Sequence, residues 1–323
     1  MTERTIGFDD VIAARARIAP YLTATPLRHY PVLDEATGAT VLVKHENHQP
    51  TNAFKVRNAL AFLTALPLEQ RARGVVAATR GNHGAGLAWA GSRLGVPVVI
   101  CVPHGNNAEK NATIRGYGAE LVEAGRDYDA AVEVATGLVA QRGLVMAHST
   151  NDPNVIAGAA TLSVEICEQA DQLDAIVVAV GGGSQAAGAI LATRRLRPDV
   201  AVYGVQASGA SAICASWHAK ARLTTERAET FADGLATRST YDHTWPTLRD
   251  GLTGFVAVPD HEIAAAIRLM LRATHNLVEG AGAAGLAGLL ALRDRLAGKT
   301  VAVILSGANI DGPTLLRVLA NDL

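Results

Sequence analysis

Short apolar runs alternate along the chain with longer segments in which Ala and Leu recur at helical spacing. Each run is followed by a turn that contains glycine, which is typical of strand and helix units around a parallel sheet. The runs predict strands at residues 75–79, 96–102, 175–180, 201–206 and 301–305. The helical spacing predicts helices at residues 8–21, 51–66, 85–94, 107–117, 155–169, 184–196, 262–274 and 281–296. The pattern therefore indicates the α/β class.

The division of the chain into domains leaves no mark in its composition. No long linker rich in Pro, Gly or Ser separates two halves, and no segment repeats at a fixed period. A chain of 323 residues is long enough for two lobes, so we expect lobes that are interleaved. Residues 1–73 and 151–323 are predicted to form a large domain, and residues 74–150 a small inserted domain.

Charge and cysteine content exclude several classes of partner. Lys and Arg number 29 against 30 Asp and Glu, which gives a formal net charge of -1 and no basic field for nucleic acid or an anionic membrane surface. Cys101, Cys167 and Cys214 lie far apart in apolar runs, which favours buried thiols in a reducing compartment. No apolar stretch approaches the roughly 18 residues of a membrane span. We therefore expect a cytoplasmic protein that binds neither nucleic acid nor a membrane.

A run of three glycines and a serine, residues 181–184, lies between a predicted strand and a predicted helix. Consecutive glycines let backbone N–H groups converge on an anion, and the helix N-terminus favours negative charge, so the run is interpreted as a phosphate site. A dinucleotide site would also need an acidic residue at the end of the next strand, where this chain has Gln206. A tight turn without a ligand remains the structural alternative.

A lysine, Lys55, lies near the start of the helix predicted at residues 51–66, between Phe54 and Val56. Desolvation by apolar neighbours and a position near the positive helix end both lower the pKa of an amine toward the nucleophilic range. Taken alone, a lysine at such a position is more often a solvated surface residue than one that binds a carbonyl group covalently.

Polar residues also follow two other predicted strands. The segment Thr-Arg-Gly-Asn-His-Gly occupies residues 79–84, and open α/β sheets place ligands at such carboxyl ends of strands. His83 has no second ligand at i+3 or i+4, so a structural role in the loop is a simpler interpretation than a metal site. Ser306 follows the last predicted strand, and Glu279 lies in a stretch of Ala, Gly and Leu.

In this order and spacing, the five segments resemble the fold-type II pyridoxal-phosphate enzymes, and within them the serine/threonine dehydratase (threonine ammonia-lyase) and serine racemase group. The resemblance covers about residues 6–311. It implies a tryptophan synthase β-like fold of two interleaved lobes, with parallel-type sheets flanked by helices. It also implies that the large domain binds the cofactor, pyridoxal 5'-phosphate, and that the protein is a homodimer acting on a small-molecule amino-acid substrate.

The resemblance also assigns roles to individual residues. Lys55 is implied to be the catalytic residue that binds the cofactor covalently, with Phe54 beside the cofactor ring, Asn82 at the ring hydroxyl and Ser306 at the pyridine nitrogen. The implied cofactor-binding residues are Phe54, Lys55, Asn82, Gly181, Gly182, Gly183, Ser184, Gln185, Glu279 and Ser306. The implied substrate-binding residues are Thr79, Arg80, Gly81, His83 and Gly234.

The chain departs from this family at two informative places. Arg80 stands where racemases, and many dehydratases, have a serine that faces the lysine, and a guanidinium cannot act as a second base, so racemisation is disfavoured. Relatives activated by a divalent cation have carboxylates at the end of the strand predicted at residues 201–206 and six residues later. Gln206 and Ala212 occupy those positions here, so no metal site is expected.

The implied activity is that of a dehydratase. Abstraction of the α-proton and β-elimination would convert a β-hydroxy-α-amino acid of the serine or threonine type to a 2-oxo acid and ammonia. Ala53, Ala85 and Ala159 replace larger residues and would leave room for a bulkier substrate such as phenylserine. A β-replacement enzyme of the cysteine synthase type, a 3-hydroxyaspartate dehydratase and a non-catalytic binding protein remain as alternatives.

Overall fold

Two β-sheets organise the chain in a computed structural model that describes residues 6–323. The larger sheet contains β1 (Leu27–His29), β2 (Thr40–His45), β7 (Ala175–Ala179), β8 (Ala201–Ala207), β9 (Gly254–Val258) and β10 (Thr300–Leu305). The smaller sheet contains β3 (Val75–Ala78), β4 (Val98–Val102), β5 (Glu120–Glu123) and β6 (Val145–Met146). The spatial orders are β1-β2-β10-β7-β8-β9 and β5-β4-β3-β6, and every pair is parallel except β1 with β2.

Helices cover the faces of both sheets. They are α1 (Phe8–Ile18), α2 (Pro31–Thr37), α3 (Lys55–Ala65), α4 (Leu68–Arg73), α5 (Asn82–Leu94), α6 (Ala108–Gly116), α7 (Tyr128–Arg142), α8 (Pro153–Gln169), α9 (Ser184–Leu196), α10 (Ala212–Ala219), α11 (Trp245–Gly251), α12 (Asp260–Thr274), α13 (Gly280–Ala291), α14 (Arg293–Leu296) and α15 (Gly312–Leu319). Single 3₁₀ turns occur at Glu46–His48, Ser208–Ala210 and Asp233–Leu235. The predicted α/β class is confirmed.

The apolar runs of the sequence become the central strands because parallel strands between two helical layers are buried on both faces. Every residue of β3, β4 and β7 is buried. Helix α13 has no charged residue and packs against the larger sheet at close range. A Cβ at its Gly288 would lie 2.1 Å from a methyl group of Val205, so the helix approaches this closely only with glycine there.

Several helix boundaries differ from the sequence prediction. The helix predicted from residue 51 begins at Lys55, because residues 51–54 form an irregular segment in which Asn52 has a positive φ of 54°. The helix predicted at residues 281–296 is divided into α13 and α14. Strand β2 was not predicted, since its buried Lys44 and His45 interrupt the apolar run.

The division into two domains stays a prediction. The smaller sheet lies within residues 74–150, but α1 and α3, from the segment assigned to the large domain, share an apolar core with it. Helix α3 also packs against α8, so it contacts elements of both predicted domains.

Candidate active site

One cavity of about 540 Å³ brings together all the residues predicted for the site. It lies where β3, β7 and β10 end and where their following loops meet. The predicted residues on its wall are Phe54, Lys55, Thr79, Arg80, Gly81, Asn82, His83, Gly181, Gly182, Gly183, Ser184, Gln185, Gly234, Glu279 and Ser306. Parallel strands explain part of this convergence, because the carboxyl ends of β7 and β10 share one edge of the larger sheet. The loop after β3 reaches the same cavity from the smaller sheet.

Lys55 is the first residue of α3 and extends into this cavity. Its Nζ donates to the carbonyl of Ser149 at 2.9 Å and lies 5.1 Å from the centroid of the Phe54 ring. Burial lowers the pKa of this amine to about 8. The segment before it is tied to the end of β10, since the Phe54 N–H donates to the carbonyl of Ser306 at 3.0 Å. Lys55 is therefore a fixed amine with a substantial unprotonated fraction near neutral pH.

Helix α3 is held by four buried charged side chains, Lys44, Glu46, Arg57 and Glu165, which we call the ionic cluster. The Arg57 guanidinium donates to Glu46 at 2.8 and 2.9 Å and to Glu165 at 2.6 and 2.8 Å. Lys44 donates to Glu165 at 2.6 Å. Burial alone would raise the pKa of Glu46, but the charge and hydrogen bonds of Arg57 outweigh it, so this pKa is lowered. Two cations thus balance two carboxylates, and one of these cations, Arg57, lies two residues after Lys55 on α3.

The glycine run after β7 forms a concave surface that requires glycine. A Cβ at Gly181 would lie 2.1 Å from the carbonyl oxygen of Gly234, and Gly183 has a φ of +97°. The N–H groups of residues 181–183 donate to no residue among those described. The first bond of the following helix runs from the Ala187 N–H to the Gly183 carbonyl at 2.9 Å. Free N–H groups at the start of α9 give this run the chemistry that suits an anion.

Gln185 adds a second unsatisfied donor beside this run. Its Nε2 is buried and has no hydrogen-bond partner within residues 6–323. Buried amide groups are normally paired, so an unpaired one on a cavity wall indicates a missing ligand.

Asn82 is clamped from two sides. Its Nδ2 donates to Glu279 at 2.6 Å, and its Oδ1 accepts from the Nδ2 of Asn309 at 2.7 Å. The same Nδ2 of Asn309 donates to the carbonyl of Thr51 at 2.9 Å. Asn309 is thus a positioning residue that sequence reasoning did not single out, although it lies three residues after Ser306. These contacts fix which end of the Asn82 amide is the donor.

Glu279 is half-buried beside this amide. Burial raises the pKa of its carboxyl group, and the charge of Lys110 and the hydrogen bond from Asn82 oppose that shift. A Cβ at Gly307 would lie 2.3 Å from its Oε1, so glycine is required after Ser306. The Glu279 N–H also donates to the Gly307 carbonyl at 3.1 Å, which ties α13 to the end of β10.

His83 has the structural role that the sequence suggested. Its Nε2 donates to the carbonyl of Ala147 at 2.9 Å, so its buried Nδ1 carries no proton and has no partner in the described chain. Burial lowers its pKa to about 3, so the ring is neutral at physiological pH. The ring fastens the loop at residues 79–84 to the segment after β6.

The cavity wall also contains residues that the sequence did not indicate. Tyr128 and Asp129 come from the start of α7, and Tyr241 and Arg238 come from the segment before α11. Arg238 pairs with Asp129 across the cavity mouth. The sequence carried no sign of these residues, because neither the helix α7 nor the segment before α11 was predicted. The ion pair between Arg238 and Asp129 also joins segments about a hundred positions apart along the chain.

The described residues contain neither a cluster of metal-ligating side chains nor a helix that could span a membrane. Across residues 6–323, no group of three or more His, Cys, Asp or Glu side chains is arranged to hold a metal ion. No helix in the same range is long and apolar enough to cross a membrane. Gln206, where related sites would have a carboxylate, accepts a hydrogen bond from the Cys214 N–H through its Oε1 at 2.8 Å.

Comparisons with known proteins agree with this geometry. A family model described as "Pyridoxal-phosphate dependent enzyme" matches residues 18–307. An L-threonine ammonia-lyase from Thermotoga maritima is 36% identical over 98% of this chain and 79% of its own length. An L-threo-3-hydroxyaspartate ammonia-lyase from Pseudomonas sp. is 34% identical over 94% of this chain and 96% of its own. The structure of maize serine racemase superposes with a TM-score of 0.92 at 30% identity, covering 99% of this chain and 98% of that one.

Proposed function

Because this chain belongs to the pyridoxal-phosphate dependent enzymes, we propose that its cavity holds pyridoxal 5'-phosphate through Lys55 and the glycine run and eliminates water from a β-hydroxy-α-amino acid. The predicted family and cofactor are confirmed by the family model. The predicted class, a pyridoxal-phosphate-dependent lyase with dehydratase activity, is confirmed by ammonia-lyase relatives at 34 to 36% identity. The roles of single residues and the choice of substrate belong to the proposal.

The residues present fit the cofactor. The free N–H groups of residues 181–183, together with the unpaired Nε2 of Gln185, suit a phosphate group at the start of α9. Lys55 supplies a desolvated amine, the kind of group that binds an aldehyde carbon covalently. Ser306 contributes a neutral hydroxyl group to the same wall. This combination of an anion cradle, a desolvated lysine and a neutral partner is the observation that carries the proposal.

Lys55 acts as the base of the reaction. When bound, pyridoxal phosphate draws electrons from the α-carbon of an attached amino acid and makes its Cα proton acidic. Lys55 Nζ is held by the Ser149 carbonyl, and its pKa of about 8 leaves unprotonated amine available to accept that proton. Departure of the Cβ hydroxyl group as water then follows from the charge left on the substrate.

The start of α5 supports a site for the substrate carboxylate. The first bond of this helix runs from the Ala85 N–H to the Gly81 carbonyl at 3.1 Å, so the N–H groups of residues 82–84 precede the hydrogen-bonded turn. Thr79 stabilises this geometry, since its Oγ1 accepts from the Gly81 N–H at 3.1 Å. A carboxylate bound here would lie on the same cavity wall as Lys55.

Racemisation is the less favoured reaction for the same site. Inverting the α-carbon requires a proton donor and acceptor on each face of the substrate, and the cavity residue next to Thr79 is Arg80. A guanidinium keeps its proton in proteins and cannot serve as the second base. We therefore propose that the α-carbon loses its proton without being reprotonated on the opposite face.

The test of the proposed function uses the purified protein loaded with pyridoxal phosphate. Mixing with L-threonine and L-serine should yield 2-oxo acid and ammonia in equal amounts, while the unreacted substrate keeps its configuration on a chiral column. Borohydride reduction followed by peptide mass mapping should place the cofactor on Lys55. Lys55→Ala should reduce turnover by roughly a thousandfold or more.

The matched control is Lys299→Ala, since Lys299 lies in an exposed ion pair with Asp174. This variant should keep its activity and its label on Lys55. Label on another lysine would contradict the site, and absence of 2-oxo acid from every β-hydroxy amino acid would contradict the function.

The proposal also includes a cytoplasmic location and a homodimer. The cysteines support a reducing compartment, because Cys101, Cys167 and Cys214 are free and buried, and burial raises the pKa of each thiol to about 11. The dimer rests on the family resemblance, and light scattering of the purified protein tests it, a monomeric mass being the contrary result.

A further inference from the structure

Three hydrogen-bond donors on the cavity wall have no acceptor in the protein. Arg80 is exposed and makes no hydrogen bond or ion pair with any residue of the described chain. The hydroxyl groups of Tyr128 and Tyr241 likewise donate to nothing within residues 6–323, although both rings are partly buried. All three side chains line the same cavity, so they form one group on its wall.

This group lines the same cavity as the amine of Lys55. The Tyr241 ring packs edge to face on His148, with ring centroids 5.3 Å apart. His148 accepts from the N–H groups of Thr150 and Asn151 at 3.0 and 2.8 Å and so fixes the loop whose Ser149 carbonyl binds Lys55. A molecule that reaches Lys55 can therefore place a second group among the three donors.

Most of the neighbouring charged side chains on this wall are paired, and Glu226 is an exception among the described residues. Asp129 pairs with Arg238, and Asp127 caps α7 by accepting from the Ala130 N–H at 3.0 Å and also pairs with Arg126. Elsewhere on the wall, Lys110 pairs with Asp233 and Arg227 with Glu229. Glu226, which has no partner among the described residues, is exposed, and it lies on the segment hydrogen-bonded to Gly209.

We propose that Arg80, Tyr128 and Tyr241 form a subsite for a negatively charged distal group, so that the substrate is a β-hydroxy amino acid with a second carboxylate. This inference rests on the proposed function and narrows its substrate class. The Cα–H and Cβ–O bonds break, a C=C bond forms and one water leaves. The resulting enamine becomes an imine and takes up one water, which releases ammonia and leaves a 2-oxo dicarboxylic acid without net oxidation.

A carboxylate suits this group better than an aromatic or a methyl substituent does. A guanidinium binds a carboxylate through two parallel hydrogen bonds, and the two phenols remain donors because burial raises their pKa, that of Tyr128 to about 12. A phenyl ring placed there would remove water from all three donors and replace none of their hydrogen bonds, which is unfavourable. The phenylserine possibility is therefore disfavoured.

The first test measures binding to the holoprotein by calorimetry, with amino acids that lack a β-hydroxyl group. L-aspartate, L-asparagine and L-2-aminobutyrate differ chiefly in their distal carboxylate, amide and methyl groups. We expect aspartate to bind about ten- to a hundredfold more tightly than the other two. Arg80→Met should abolish this preference and leave the affinity for 2-aminobutyrate unchanged, and Tyr128→Phe and Tyr241→Phe should each weaken aspartate alone by a smaller factor.

The matched control is Arg142→Met, which removes a guanidinium from an exposed ion pair with Glu120 that does not line the cavity. It should keep the preference for aspartate. Equal affinities in the unaltered protein would overturn the inference, and so would an Arg80→Met variant that weakens all three ligands alike, because Arg80 would then bind the α-carboxylate.

The second test compares turnover of 3-hydroxyaspartate with that of threonine. The value of kcat/KM should favour the dicarboxylic substrate by about tenfold or more, and Arg80→Met should remove this ratio while sparing threonine. A protein that dehydrates threonine and serine but not 3-hydroxyaspartate keeps its proposed function and loses this inference. A protein with no dehydratase activity that still prefers aspartate loses the proposed function and keeps the anionic subsite.

Discussion

The ionic cluster and the cavity lie at the two sides of α3 and treat polar groups in opposite ways. In the ionic cluster, each charged side chain meets an opposite charge, with four Arg57 bonds of 2.6 to 2.9 Å. In the cavity, Arg80 has no partner in the described chain, and the Nε2 of Gln185 has none either. Both regions are dense in charge, but only one of them is complete without a ligand.

This contrast separates structural from functional charge. A buried charge without a partner is so costly that a folded chain retains it either by pairing it internally or by reserving it for a ligand. Arg57 and Lys55 are two residues apart on one helix. Arg57 is paired with carboxylates of the protein, whereas Lys55 faces the cavity. Removing a member of the ionic cluster should therefore damage stability, whereas removing a cavity residue should damage binding or turnover.

The largest effect on stability is expected for Arg57→Met. This change leaves Glu46 and Glu165 buried with Lys44 as their one remaining cation among the described residues. The free energy of unfolding should fall by about 3–5 kcal/mol, the range for breaking a buried ion pair by removing one partner. A urea titration of the apoprotein followed by circular dichroism measures it.

Arg15→Met is the matched control for that substitution. Arg15 pairs with Glu168 at 2.6 Å, and both side chains are about half exposed or less, at 38% and 49%. Exposed pairs contribute little, so its unfolding midpoint should hardly move. An equal loss of unfolding free energy in both variants would mean that the ionic cluster stabilises the fold no more than an exposed ion pair does.

The next prediction concerns the cavity and the pH dependence of cofactor capture by Lys55. An amine reacts in its unprotonated form, and burial lowers the pKa of Lys55 from 10.5 to about 8. The rate at which apoprotein captures pyridoxal phosphate should rise about tenfold per pH unit below 8 and level off above it. Stopped-flow absorbance measures this rate at each pH.

An ordinary lysine would give a different profile. Its capture rate would continue to rise toward pH 10.5, and a profile of that kind would show that Lys55 is solvated in the apoprotein. Lys55→Ala should capture no cofactor covalently at any pH.

Sequence reasoning succeeded where one strand, one turn and one helix carry the signal together. The glycine run after β7 and the lysine at the start of α3 were found because their neighbours along the chain create the local chemistry. The ionic cluster gave no such signal, since Glu46 and Glu165 are joined only by folding and each looks like an ordinary surface glutamate in the sequence.

The far wall of the cavity escaped prediction for a related reason. Tyr128 is the first residue of α7, a helix whose weak amphipathic pattern gave no prediction, and Tyr241 lies in an irregular segment. What makes them functional is the absence of an acceptor for their hydroxyl groups, which becomes visible only in three dimensions. Local patterns therefore indicate where the chemistry occurs, and tertiary contacts decide what is bound.

A smaller effect is expected for Asn309→Ala, which frees the amide of Asn82. Two hydrogen bonds are lost, to Thr51 and to Asn82, and the Asn82 amide can then rotate away from its donor orientation. We expect kcat/KM to fall about tenfold, with a shift in the visible absorption band of the holoprotein as the sign of misplacement.

Asn276→Ala is the control for that change. Asn276 also makes side-chain hydrogen bonds, to Asn47 at 2.8 Å and to the Thr274 carbonyl at 2.7 Å, but it does not line the cavity. It should leave the absorption band in place. If Asn309→Ala lowers stability without moving the band or the kinetics, the clamp on Asn82 is a structural contact and no more.

The smallest effect is expected when divalent cations are removed. Gln206 accepts from the Cys214 N–H through its Oε1, which leaves its Nε2 as a buried donor without a partner in the described chain, and Ala212 offers no side-chain oxygen. A hard cation requires oxygen ligands, and an N–H donor at this position repels it. Exhaustive treatment with EDTA should therefore leave kcat/KM and the melting temperature of the holoprotein unchanged. Added magnesium or calcium should change neither quantity. A loss of activity with EDTA that either ion reverses would show that the protein needs a divalent cation bound at another place in the fold.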